Sequence, residues 1–207
     1  MSAPELLDLD ATALAGALRA GDVSPVEVLD ATLDAAAGVG AAVGAFTVLT
    51  ADLARTQALA AQDALVAARR DGHAGPHDGL PPFLGVPCPV KDLTMVEGVP
   101  MRAGSAAIDP FLPPSDDGVV TLLRRAGTVM VGKTSTPDWP PLLHEPDVGR
   151  PPAPRGTSPV RGRVERGAAA AVAARVVPSR TGATAAARCA SPRARAGSSG
   201  SSRRAGS

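Results

Sequence analysis

Apolar residues recur three and four positions apart through the first seventy residues, and further on they collect into short β-branched runs. Asp10 ahead of Ala-Thr-Ala-Leu-Ala-Gly-Ala-Leu reads as an N-cap and a short helix that ends near Gly21. Ser24, Pro25 and Glu27 supply a cap, a proline at the first helical position and a capping-box partner. A second helix is therefore predicted over 25–37, with Val28, Leu29, Thr32 and Leu33 on its core face. Residues 45–50, Ala-Phe-Thr-Val-Leu-Thr, read as a strand. The alanine-rich stretch 51–70 reads as a long helix carrying Leu53, Leu59, Leu65 and Val66.

A loop follows over 73–82. His73 and His77 lie four apart there, but the glycines and prolines around them argue against a helical metal pair. Asp116 and Asp117 then cap a helix through about residue 126. Its Val119, Val120, Leu122 and Leu123 are expected to face inward, and Arg124 and Arg125 suit its C-terminal end. Gly127 ends that helix and 128–131 reads as a buried strand, the alternation of an α/β sheet. Gly132-Lys133-Thr134 imitates the end of a phosphate loop, but Pro137, Pro140 and Pro141 break the helix such a loop needs.

The candidate chemistry sits in Leu84-Gly-Val-Pro-Cys-Pro-Val-Lys-Asp92. Pro87 and Pro89 hold the backbone extended and cannot donate to a ladder, so 88–90 read as a short or edge strand delivering Lys91 in a fixed direction. A lysine beside an aspartate is ordinarily a solvated charge or a surface ion pair. It acts as a base only where burial or a nearby positive charge keeps it largely neutral.

The neighbouring motifs favour the second role. Gly85-Val-Pro-Cys-Pro-Val-Lys-Asp92, Gly98-Val-Pro-Met-Arg-Ala-Gly-Ser105 and the segment from Asp116-Asp117 through Gly132-Lys-Thr-Ser-Thr-Pro-Asp138 follow one another in the order and spacing of the amidase signature family, and Ser24-Pro-Val-Glu-Val28 is similar to its first helix pair. The resemblance runs over about residues 5–148. It implies an α/β fold, the N-terminal part of a mixed sheet covered by helices. It also implies hydrolysis of a carboxamide to a carboxylate plus ammonia or an amine. In the family a serine attacks the amide, a second serine bridges it to a lysine that accepts the proton, and backbone amides hold the oxyanion. Lys91 matches the lysine. The chemistry needs no cofactor and no metal, and the partner implied is a small amide substrate. The loop holding Ser105 lies near the active site in the family, although the Ser105 hydroxyl reads equally well as a bond to its own loop.

Both serines should lie in glycine-rich stretches, and neither stretch stands where it belongs. At the first location the chain reads Thr157-Ser-Pro-Val-Arg-Gly-Arg-Val-Glu-Arg-Gly167. Written in GC-rich codons, with one base removed after Ser158, it translates as Thr-Ser-Arg-Ser-Gly-Gly-Gly-Ser-Ser-Gly, which is the missing motif. Residues 167–178 resemble the family in the written frame. From Ser179 onward a frame displaced by two nucleotides restores the nucleophile's motif, its serine codon straddling Ala187 and Arg188. Residues 159–166 and 179 onward are thus expected to be out-of-frame translation. As written, the chain is expected to be an inactive fragment.

Composition shows the same division. Residues 1–147 hold nine Lys or Arg against nineteen Asp or Glu, whereas 148–207 hold twelve Arg against one Glu, and the sum of +1 hides both. From 149 onward valine is the only large aliphatic residue, so 149–207 is expected to be a largely disordered tail behind an N-terminal unit at 1–148. Gly197-Ser-Ser-Gly-Ser-Ser202 in that tail imitates a serine motif without its setting. An alternative function is noncatalytic, the basic tail binding nucleic acid or an acidic partner. The acidic remainder and the absence of aromatics from the tail make nucleic acid the weaker expectation. Cys88 and Cys189 make no disulfide framework and no metal spacing. With no apolar run of spanning length and no leader pattern, a soluble cytoplasmic protein is expected.

Overall fold

The structure, a computed structural model, describes residues 2–72, 79–105, 109–136 and 166–177. Three helices open the chain: α1 (Ala3–Asp8), α2 (Ala11–Ala20) and α3 (Pro25–Ala35). The first was not anticipated, yet its start carries a serine and a glutamate spaced as in α3. In α1 the Ser2 amide and hydroxyl both donate to the Glu5 carboxylate, whereas in α3 Ser24 and Glu27 bond reciprocally. Asp10 caps α2 by accepting from the Ala13 amide, and Gly21 closes it in the left-handed conformation. Helix α3 runs on into a wider π-type turn, Ala36–Gly40, where Ala-Ala-Gly-Val-Gly offers little side-chain bulk to hold a tighter coil.

Strand β1 (Phe46–Leu49) leads into α4 (Ala51–Arg70), and the chain then forms β2 (Pro87–Lys91), α5 (Gly118–Arg125), β3 (Val129–Thr134) and α6 (Arg166–Ala173). The sheet order is β1-β3-β2, with β3 antiparallel to β1 and parallel to β2. All six residues of β3 are buried, as a central strand requires. The prolines of β2 lie at the sheet's edge, where the lost amide donors cost least. The mixed α/β sheet matches the architecture the sequence implied.

Three clusters make the core. One joins α1, α2 and the start of α3 to Leu65 and Val86. The second packs Leu29, Ala54 and Ala58 against Val129 and Val131, together with Ala171, Val176 and Val177. The third, on the other side of β3, gathers Val90, Val96, Val99, Val120 and Met130.

Several expectations need correction. The buried line of α4 is Ala54, Ala58, Ala61 and Leu65, while Leu59 is exposed. Small side chains let α4 lie close to the sheet, so three alanines together with Leu65 mark its inner face. Leu122 of α5 is 64 % exposed, and Val120 alone of that helix is fully inside. Asp117 stands at the N-cap of α5 without capping it, because its carboxylate accepts from the Met95 amide instead, at 2.7 Å. Within the stretch expected to bury little, α6 and the turn after it place Ala171, Val176 and Val177 in the core with no exposed surface. The histidine pair, the displaced serine positions and the arginine-rich tail lie outside the described residues.

Candidate active site

Strands β2 and β3 run side by side with Val90 opposite Lys133 and Lys91 opposite Thr134. Cys88 and Val90 share one face, since both line a small recess with Gln57, Val120 and Met130. Strand alternation therefore sends Lys91 to the other face, the side of Val129, Val131 and α6. Lys91 is 5 % exposed, so the lysine singled out in the sequence is buried at the C-terminal end of β2. Cys88 is buried too, and loss of hydration pushes its thiol up to about 12. Such a thiol is not a nucleophile at neutral pH.

The far end of β3 meets α6. The Gly167 amide donates to the Ser135 carbonyl at 3.1 Å, and the Ser135 amide donates to Ala45 at 2.9 Å. A side chain at 167 would collide with the Ser135 backbone, its Cβ only 2.4 Å from both N and O. The start of α6 is thereby held one residue beyond Thr134, the partner of Lys91.

The segment after β2 is fastened from several sides. The Asp92 amide donates to the Thr134 carbonyl at 3.0 Å, extending the parallel pairing by a residue, and the Thr94 amide donates back to the Lys91 carbonyl at 3.0 Å. The Glu97 amide bonds to Asp116. The loop that includes Ser105 closes on itself through a reciprocal backbone pair between Met101 and Phe111, 2.9 Å in each direction. Ala103 and Gly104 both take positive φ, 50° and 80°, which turns the Arg102 and Gly104 amides toward one carboxylate oxygen, Asp92 Oδ2, each at 3.4 Å.

Sequence reasoning missed the group behind this loop. Lys133 has no exposed surface; its Nζ donates to the Thr94 carbonyl and stands 3.9 Å from Asp92 Oδ1. Burial pushes the Lys133 ammonium below its usual range, and Asp92 and Asp117 pull it back up. Burial likewise raises the Asp92 carboxyl, against Lys133 and the two backbone donors. The signal was in the sequence: a lysine inside an otherwise apolar central strand needs a buried counter-charge, and the likeness to a phosphate loop drew attention from it.

A profile of the family described as Amidase matches residues 27–184. The chain belongs to that family. Among curated amidase relatives it is 39 % identical over 136 residues to a glutamyl-tRNA(Gln) amidotransferase subunit of Salinispora tropica, covering 65 % of this chain and 26 % of that protein. It is 37 % identical over 172 residues to a putative amidase of Synechocystis, covering 82 % of this chain and 33 % of the relative. The structure of 6-aminohexanoate cyclic dimer hydrolase superposes with a TM-score of 0.63 at 27 % identity, over 83 % of this chain and 33 % of that one. The chain thus spans about a quarter to a third of the length of the amidase relatives it matches. Among the described residues no cluster of His, Cys, Asp or Glu could hold a metal ion, and no helix is long and apolar enough to cross a membrane.

Proposed function

We propose that this chain carries the lysine arm of a serine–serine–lysine amidase centre, hydrolysing a small carboxamide to its acid and ammonia or an amine. The observation that carries the reading is the meeting of three elements at one point. Buried Lys91 ends β2, Thr134 stands opposite it, and Gly167 holds the start of α6 against the next residue of β3. The bridging serine of the corrected frame precedes Gly167 by only a few positions in sequence, so the fixed start of α6 ties that motif to the Lys91 end of β2. A bridging hydroxyl there would pass the nucleophile's proton to the neutral Lys91 amine, and the lysine would return it to the departing nitrogen.

We further propose that the written sequence lacks both serines because residues 159–166 and 179 onward are displaced reading. Helix α6 and its following turn, the stretch that matches the family in the written frame, pack into the core as a family element would. An unrelated tail has no reason to supply Val176 and Val177 at the right depth.

The test compares two proteins on a panel of simple carboxamides: the 207-residue chain and a version expressed after single-base corrections restore both serine motifs and the open frame beyond them. The written chain is expected to show background turnover only, since loss of the nucleophile costs several powers of ten. The corrected chain is expected to turn over amide and to lose that on Lys91→Ala. Turnover by the written chain that disappears on Lys91→Ala would refute the fragment reading. A folded corrected chain without amidase activity would refute the catalytic one.

A further inference from the structure

The chain holds 21 basic residues, and only two of them, Lys91 and Lys133, are lysines. Both are buried, on adjacent parallel strands, one register position apart. Arginine keeps its proton under all ordinary conditions, whereas a buried lysine can exchange one. The two residues able to do so are gathered at a single end of the sheet.

Between them lies Asp92, whose side chain is 1 % exposed. Its Cα is about 3.8 Å from that of Lys91, so in a buried setting a carboxylate there would act strongly on the amine. An opposite charge beside a lysine holds its proton in place, which defeats the lysine as a base. The geometry shows how this is avoided. Val90 and Asp92 follow the face opposite to Lys91, and Lys133 reaches toward Asp92 on that face. One carboxylate oxygen is occupied by the Arg102 and Gly104 amides. The other, Oδ1, has no hydrogen-bond partner among the described residues and faces the Lys133 ammonium at 3.9 Å.

We propose that Lys133 is a positioning residue for Lys91: its buried ammonium holds the Asp92 carboxylate on the far face of the sheet, against the 102–104 amides, so that this carboxylate does not fix the proton on Lys91. The inference rests on the amidase reading, which gives Lys91 its role as base. Among the described residues, the charges that act on the pair are Arg102 from the loop, Asp117 from the start of α5 and each partner on the other. Strand β1 and residues 167–173 of α6 contribute no ionisable side chain. Lys133 thus serves as counter-charge and as anchor, its bond to the Thr94 carbonyl pinning the turn that directly follows Lys91.

Two lysines make the test direct. Incorporation of [ε-13C]lysine into the 207-residue chain gives two Cε resonances, assigned with Lys133→Arg, and [γ-13C]aspartate reports Asp92, assigned with Asp92→Asn. In the unaltered protein Asp92 is expected to be ionised at neutral pH, and the Lys91 midpoint there is the reference for the variants. Lys133→Met is expected to raise the Lys91 midpoint by about one pH unit, a tenfold gain in proton affinity, and adding Asp92→Asn is expected to reverse it. Lys133→Arg keeps the charge and should leave the midpoint close to its original value, which a purely space-filling role does not require. A Lys91 midpoint identical in the unaltered and Lys133→Met proteins, both with native spectra, would overturn the proposal. Should Lys133→Met not fold, the unaltered protein decides: Asp92 protonated at neutral pH overturns it equally. These readings require no turnover, so they stand apart from the outcome of the amidase assay.

Discussion

Gly132 shows how much one position can decide. Its φ is 155°, and a Cβ placed there would lie 2.3 Å from the Val48 carbonyl oxygen on β1, a contact no rotamer can relieve. The strand kinks at this point, with the register shifting between Cys88 and Val90 on the β2 side, and Lys133 is thereby turned toward Asp92. Gly132→Ala is expected to destabilise the protein by roughly 2–4 kcal/mol, read from a urea denaturation midpoint, because the two strands must separate to admit the methyl group. Cys88 offers a milder check: with its thiol pushed up to about 12 and buried, it should resist iodoacetamide at pH 8 and react once the chain is unfolded in urea. Lys91 was legible in the sequence because prolines and neighbouring motifs frame it. The Lys133–Asp92 pair was not, because residues 41 apart in the chain meet only through the parallel register of β2 and β3.

At the scale of elements, the signals that held were local chemistry. Ser24, Pro25 and Glu27 fix where α3 begins, and Ser24→Ala is expected to cost about 1 kcal/mol in thermal or chemical unfolding. Glu27 adds a pH signature. Its bonds from the Ser24 backbone and hydroxyl hold its carboxyl below the usual range. The unfolded chain therefore takes up a proton before the folded one does. The bonus is present above the unfolded value and fades as pH falls through the folded one. Glu27→Gln should accordingly destabilise the protein at pH 7 and differ little from the original at pH 2–3, measured as the change in denaturation midpoint. What misled at this scale was size. Leu59 and Leu122 look like core residues in the sequence but face outward, whereas the unassuming Ala54, Ala58 and Ala61 line the interface of α4. Periodicity locates a helix well; which of two apolar stripes faces the sheet depends on how near the sheet comes.

For the molecule as a whole, composition divided the chain near residue 148, and the core does not respect that division. Val176 and Val177 complete the cluster built on Leu29, Ala54, Val129 and Val131. Val176→Ala is expected to lower stability by about 2 kcal/mol, seen as a lower melting temperature, which a disordered tail would not produce. The arginine-rich average of 149–207 masked this short stretch because composition weighs every residue equally, while packing depends on a few at the right depth. The α/β alternation, by contrast, was legible from the order of elements, and the mixed sheet followed from the family resemblance.

The burial of both lysines also governs how the molecule presents itself to reagents. With no lysine side chain facing solvent, acylating agents that decorate most proteins should leave these amines unmodified until β2 and β3 come apart. The pace at which Lys91 and Lys133 take up such a label therefore becomes a gauge of how often the sheet opens, read by mass spectrometry without any engineered probe.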